Sequence, residues 1–181
     1  MVSDDVRRRM IEFLPRLRRF AYSLTGNMDL GDDLVQETCL RALSRLEQWK
    51  PGTKLESWMF RIAQNIWFDR ARANKVRGEF SSLDVVESAP GADGRDVVEG
   101  RMALEAVNRG IATLPAEQQV LIGLICIDGA SYKEASEILE IPMGTVMSRL
   151  ARARKTLHEY IEGDDAVSGS SSKEEGHGRV P

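Results

Sequence analysis

The sequence predicts an all-α protein: two small helical domains, an N-terminal helical bundle and a C-terminal helix-turn-helix, joined by a flexible acidic linker. Three observations predict it. Apolar residues recur at spacings of three and four along residues 1–77 and again along 101–162, which is the period of an amphipathic helix. The period disappears from Gly78 to Gly100, where one Pro, four Gly and six acidic residues give linker composition. Finally, Ser131 to Lys155 reads as two helices broken at Glu140–Ile141–Pro142, with a run of cations only on the second.

Composition bounds the function before any motif does. A chain of 181 residues that is 42% hydrophobic and 29% charged describes a soluble globular protein of one medium domain or two small ones. No apolar run approaches the ~18 residues of a membrane span, so no membrane insertion is expected. The acids of Met1–Val2–Ser3–Asp4–Asp5 stand where a signal peptide needs a basic region, and a cytoplasmic location follows. Cys39 and Cys126 fall inside apolar helical patterns and read as small buried hydrophobes. With His158 and His177 as the only histidines, no metal-ligand cluster can be assembled from spacing; neither metal nor cofactor is expected. The net charge of −3 hides a division. Residues 1–77 carry fifteen Lys/Arg against ten Asp/Glu, residues 78–103 two against six, and residues 104–162 six against eight. Basic segments on an acidic connector fit two nucleic-acid-facing modules better than one uniform domain.

The first helix is predicted from about Asp4 to Leu24, with Phe13, Leu17, Phe20 or Ala21, and Leu24 as its apolar stripe. Arginines crowd the remainder, Pro15 predicts a kink or a start within it, and Thr25–Gly26–Asn27 ends it with turn chemistry. The second runs from about Leu30 to Trp49, with Leu34, Val35, Thr38, Ala42 and Leu46 inward and Asp32, Asp33, Gln36, Glu37 and Arg41 outward. Asp32 and Asp33 suit capping of the positive helix end, or docking of a partner's basic helix; the pattern alone leaves both open. The third runs from about Leu55 to Arg77 on the stripe Leu55, Met59, Ile62, Ile66. Trp58, Phe60, Trp67 and Phe68 interleave with its cations, a combination that contacts phosphates and stacks on unpaired bases. A small helical core explains Trp58 and Phe60 at least as well, whereas the basic run Arg70 to Arg77 favours nucleic acid.

A second helical set begins near Arg101, with Met102, Leu104, Val107 and Ile111 as core candidates, and Pro115 opens a further helix to Ile127. Ser131 followed by Glu134 is a capping-box start, and Pro142 suits the first turn of the next helix, where a missing N–H costs nothing. On that helix Val146, Leu150, Ala153 and Leu157 share a buried stripe, while Thr145, Ser148, Arg149 and Arg152 share a polar, cationic one. A short helix, a turn, and a helix presenting Thr, Ser and Arg from its N-terminal end is the arrangement that enters a DNA major groove. Beyond Glu162 the composition predicts a disordered tail, 163–181.

GDDLVQETCLRAL, LESWMFRIAQNIWFDRARANKVR and LPAEQQVLIGLICIDGASYKEASEILEIPMGTVMSRLARARKTL together resemble the extracytoplasmic-function (group IV) sigma factors of bacterial RNA polymerase, over about residues 8–160 in order and spacing. IPMGTVMSRLARAR is also similar to the general-stress sigma factors of alphaproteobacteria. The resemblance implies a non-enzymatic protein that directs promoter-specific initiation, with a domain 2 at 1–77 and a domain 4 at 101–162. It implies that Asp33, Gln36, Glu37 and Leu40 dock on the β′ clamp helices of core polymerase, and that further contacts reach the β subunit. Lys54, Ser57, Trp58, Arg61, Asn65, Arg70 and Arg72 are implied to hold the unstacked −10 strand. Gly144, Thr145, Ser148, Arg149 and Arg152 are implied to read the −35 element; Met147 stands where the family often carries Lys or Arg. An anti-sigma factor is the implied regulator of a chain that is otherwise monomeric. A sigma-like decoy that titrates an anti-sigma factor without binding DNA is the alternative, though it would not need an intact basic recognition helix.

Overall fold

The computed structural model describes residues 4–77 and 95–170, with side chains described within 4–76 and 104–163. Those residues form seven α-helices and no strand.

Helix α1, Asp4–Thr25, buries Val6, Met10, Phe13, Leu17, Phe20, Ala21 and Leu24, and continues through Pro15. Pro15 is exposed, so solvent can take the Ile11 carbonyl that its missing N–H releases, and the helix neither stops nor starts there. Thr25 closes α1 by donating its hydroxyl to the Ala21 and Asn27 carbonyls at 3.1 and 2.8 Å. Gly26, at φ 62°, makes the left-handed turn that sends the chain back. Helix α2, Met28–Ser44, is capped by Asn27, whose Oδ1 accepts from the Leu30 N–H at 3.0 Å. The cap is therefore upstream of Asp32 and Asp33. A 3-10 turn, Leu46–Gln48, follows, and then α3, Leu55–Arg77. Phe60 sits edge-on to both Phe13 and Phe20, with centroids 4.8 and 5.0 Å apart. It is a core residue, as the bland reading of that ring held.

Helix α4, Arg95–Ala112, begins ahead of the expected start near Arg101. The remainder of the expected linker, 78–94, lies outside the described residues. Helix α5, Ala116–Leu121, passes directly into a π-helical turn, Ile122–Ile127. Helix α6, Tyr132–Leu139, opens on the expected capping box: Ser131 Oγ accepts the Glu134 N–H at 3.1 Å and Glu134 Oε2 accepts the Ser131 N–H at 3.1 Å. Glu140 ends it in the left-handed region, φ 54°, and Pro142 leads into α7, Met143–Ser170. That helix carries on past Glu162, where composition alone predicts disorder; 171–181 lie outside the described residues.

The two halves share a core. One cluster joins the α1–α3 residues to Val120, Leu124, Ala130 and Ile138 from the second half. A second cluster, built on Ile111, Leu114, Leu121, Ile122, Val146, Leu150 and Ala153, seats α7. Gly123 lies against α1 so closely that a Cβ there would stand 2.9 Å from both Phe20 Cδ2 and Ser23 Oγ. Cys126 is exposed and Cys39 half-buried. The expected burial of Cys126 fails because the π turn aims it outward, toward Arg154.

Candidate nucleic-acid interface

Three surfaces carry the residues singled out by sequence. On α2, Asp33, Gln36 and Leu40 are exposed at spacings of three and four, so they share one face. Leu40 is 63% exposed and Leu43 beside it 43%, an apolar edge that none of the described elements covers. Glu37 differs. It is half-buried and accepts from Arg41 Nη2 at 2.7 Å and from Arg70 Nη2 at 2.8 Å. Burial pushes its carboxyl up, but Arg70 and Arg41 outweigh that and hold it below the ordinary carboxylate value. Asp32 is also tied, accepting a fork from Arg18 with both contacts at 2.7 Å.

Along α3 and the residue just before it, Lys54, Ser57, Arg61, Asn65 and Arg72 run along one side. The far end of this side, Asn65 and Arg72, is exposed, and among the described residues Arg72 meets Asp69 at a long 3.5 Å. The near end is covered. Lys54 Nζ donates to Glu134 Oε1 at 2.8 Å. Arg61 pairs with Glu140 Oε1 at 2.6 Å and also donates to the Glu137 and Ile138 carbonyls at 2.9 and 3.2 Å. Ser57 lies in the same cleft, which Arg16, Phe60, Asp128 and Ala130 also line. Trp58 is half-buried against the α1–α3 core, so its ring serves packing, and Arg70 is engaged by Glu37. The Glu134 carboxyl is drawn down to about 2, chiefly by the Lys54 hydrogen bond and then by the Ser131 N–H and hydroxyl.

On α7, Val146, Leu150 and Ala153 are buried and Leu157 half-buried, as their spacing predicts. The opposite side presents Gly144, Ser148 and Arg152, with Thr145 and Arg149 half-buried at its border. A Cβ at Gly144 would meet nothing within 4 Å, so the helix start is open to an incoming backbone. Met143 and Met147 are each 51% exposed beside them. Among the described residues the cations here are little engaged: Arg152 Nε donates to the Ser148 carbonyl at 3.3 Å.

Sequence reasoning missed the residues that join the halves. Arg16 forks onto Asp128 at 3.0 and 2.7 Å, and the Asp128 side chain is 0% exposed. Trp67 Nε1 donates to Gln119 Oε1 at 2.9 Å. Partners this far apart in the chain leave no local periodic signal.

Comparison with known proteins identifies the two halves. Residues 10–77 match the family model of Sigma-70 region 2, and residues 104–157 that of Sigma-70, region 4. Helices α1–α3 and α4–α7 thus define a two-region sigma factor. The chain is 34% identical over 169 residues to the ECF RNA polymerase sigma factor EcfG of Rhodopseudomonas palustris, covering 90% of this chain and 89% of that protein. It is 30% identical over 155 residues to SigW of Bacillus subtilis, covering 81% of this chain and 83% of that one. Among solved structures it is similar to the sigma factor RpoE in complex with the anti-sigma factor NepR from Bartonella quintana. There the TM-score is 0.68 at 30% identity, over 88% of this chain and 98% of that one. CnrH, solved in complex with the cytosolic domain of CnrY, shares the fold: TM-score 0.66 at 24% identity, over 88% of each chain. The chain belongs to the ECF family of RNA polymerase sigma factors. As such it is not an enzyme: it binds core RNA polymerase and promoter DNA and acts in transcription initiation.

Proposed function

We propose that the three surfaces divide the work of initiation. The α2 face of Asp33, Gln36 and Leu40 docks on the β′ clamp helices, Glu37 shaping it through Arg70 and Arg41. The α3 side from Lys54 to Arg72 holds the unstacked −10 strand. The N-terminal half of α7, Gly144 to Arg152, reads the −35 element in the major groove. The observation that carries the upstream assignment is the polar side of α7, which lies opposite the buried Val146, Leu150 and Ala153. Arg149 and Arg152 supply cations for guanine edges or phosphates, a good base contact being worth ~1–3 kcal/mol of discrimination. An anti-sigma factor regulates the chain; the solved complex of RpoE with NepR supports this.

Run-off transcription with core polymerase and a promoter library tests the division. Gln36→Ala is expected to weaken core binding and leave the upstream base preference intact. Arg149→Ala is expected to relax that preference and leave core binding intact. Equal loss of both functions in each variant would contradict it.

A further inference from the structure

Two of the large apolar side chains left in solvent lie together on α7. Met143 and Met147 are each 51% exposed, one turn apart at the N-terminal end of the helix. A single exposed methionine needs no explanation, but this pair stands in a particular frame. Three residues border Met147 on the helix surface besides the buried Leu150: Met143, Gly144 and the exposed Ala151. Gly144 and Ala151 carry nothing beyond a Cβ, and a Cβ on Gly144 would itself meet nothing within 4 Å. Met147 is thus the long group on its flank, reaching out past a bare backbone. Thr145, Arg149 and Arg152 lie on the other side of Ser148, so α7 has an apolar flank and a cationic one. No Asp or Glu stands between Glu140 and Glu159 to repel phosphates from either flank.

We propose that Met147 is a specificity-determining residue of the upstream reader, its thioether packing on the 5-methyl group of a thymine in the major groove. This rests on the assignment of α7 to the −35 element. Arg or Lys at such a place donates to the O6 and N7 acceptors of guanine. A thioether has no hydrogen to donate and would leave those acceptors desolvated and unpaired. The thymine methyl is the apolar group that a base pair shows in the major groove, and an unbranched, polarisable side chain adapts to it. Arg149 and Arg152 on the other flank meet guanine edges or phosphates, so the two flanks read neighbouring positions by different chemistry. Met147 therefore biases one upstream position toward an A·T pair.

Removal of single methyl groups from the DNA tests it. Holoenzyme assembled from the full chain and core polymerase selects its upstream element from a promoter library. Each thymine of that element, on either strand, is then replaced in turn by deoxyuridine, which lacks only the methyl. The expected result is one position at which deoxyuridine lowers run-off transcription about fourfold at limiting holoenzyme, the effect of withdrawing one buried methyl group. Met147→Ala, at a half-exposed position that folding tolerates, is expected to abolish that sensitivity. Met147→Arg is expected to shift the preferred pair at the same position to G·C. Deoxyuridine tolerated throughout, while Arg149→Ala still relaxes the upstream preference, would overturn the methionine contact and keep the assignment of α7. Sensitivity that survives in Met147→Ala would place the methyl against another group and overturn the proposal equally. An upstream preference unmoved by both Arg149→Ala and Met147→Ala would sink the assignment of α7 itself.

Discussion

Glu134 has two duties at once. Its carboxylate completes the capping box of α6 and accepts the Lys54 ammonium across the halves. Both interactions favour the ionised form, which is why its pKa lies near 2. A carboxyl depressed in the folded state stabilises above its unfolded value, and that stability is lost as pH falls through the folded one. The stability gap between wild type and Glu134→Gln is therefore expected to be constant from pH 7 to about pH 5.5. It should then shrink progressively between about pH 4.5 and pH 2, as read from urea midpoints at each pH. A gap that widened on acidification would have the wrong sign for this pair. Arg70 is likewise less available than its place in a basic run implies. Sequence shows a cation among cations; the fold shows it donating to Glu37 on the neighbouring helix, a distinction that no linear pattern contains.

At the scale of elements, the helices were largely legible because their information is local. Leu55, Met59 and Ile66 on α3 and Val146, Leu150 and Ala153 on α7 are buried as their spacing requires, while Ile62 and Leu157 of the same stripes are half-buried. The Ser131–Glu134 box formed for the same reason. Boundaries set by distant packing were not legible: α4 starts at Arg95, α7 reaches Ser170, and α2 starts at Met28 because Asn27 caps it. Leu124 illustrates the difference. It lies in the unbroken apolar run 120–127, which has no period to say which side faces which half, and it packs with α1–α3. Leu124→Ala is expected to cost about 2–5 kcal/mol, as is usual for a fully buried leucine. Because its contacts lie across the halves, it should lower the melting of both together in calorimetry. A variant in which only one half melts early would place Leu124 in a private core.

At the scale of the molecule, composition suggests two weak modules, each short of apolar area, and the shared core answers that shortage. The polar faces proposed for docking and reading were visible as sequence patterns, and Asp33, Gln36, Ser148 and Arg152 are exposed. The covered state of Lys54 and Arg61 was not, since their partners lie 76 to 80 positions away. A chain whose halves share buried surface is expected to unfold in one cooperative transition.

The π turn at Ile122–Ile127 bears on how this arrangement tolerates insertion and deletion. Such a turn is an α-helix holding one residue more than its hydrogen bonds require. Removing a single residue there, Ile125 for instance, would let the helix relax to ordinary α geometry. Everything downstream would then rotate by roughly 100° about the helix axis. Asp128 would leave Arg16, and the cluster in which Leu121 and Ile122 meet Val146, Leu150 and Ala153 would be broken, so α7 would lose its seat on α4 and α5. A one-codon deletion is thus expected to lower the melting temperature of the second half, read by circular dichroism, and to abolish transcription from promoters that need both elements. One surplus residue thus fixes how α6 and α7 are aimed against α4 and α5.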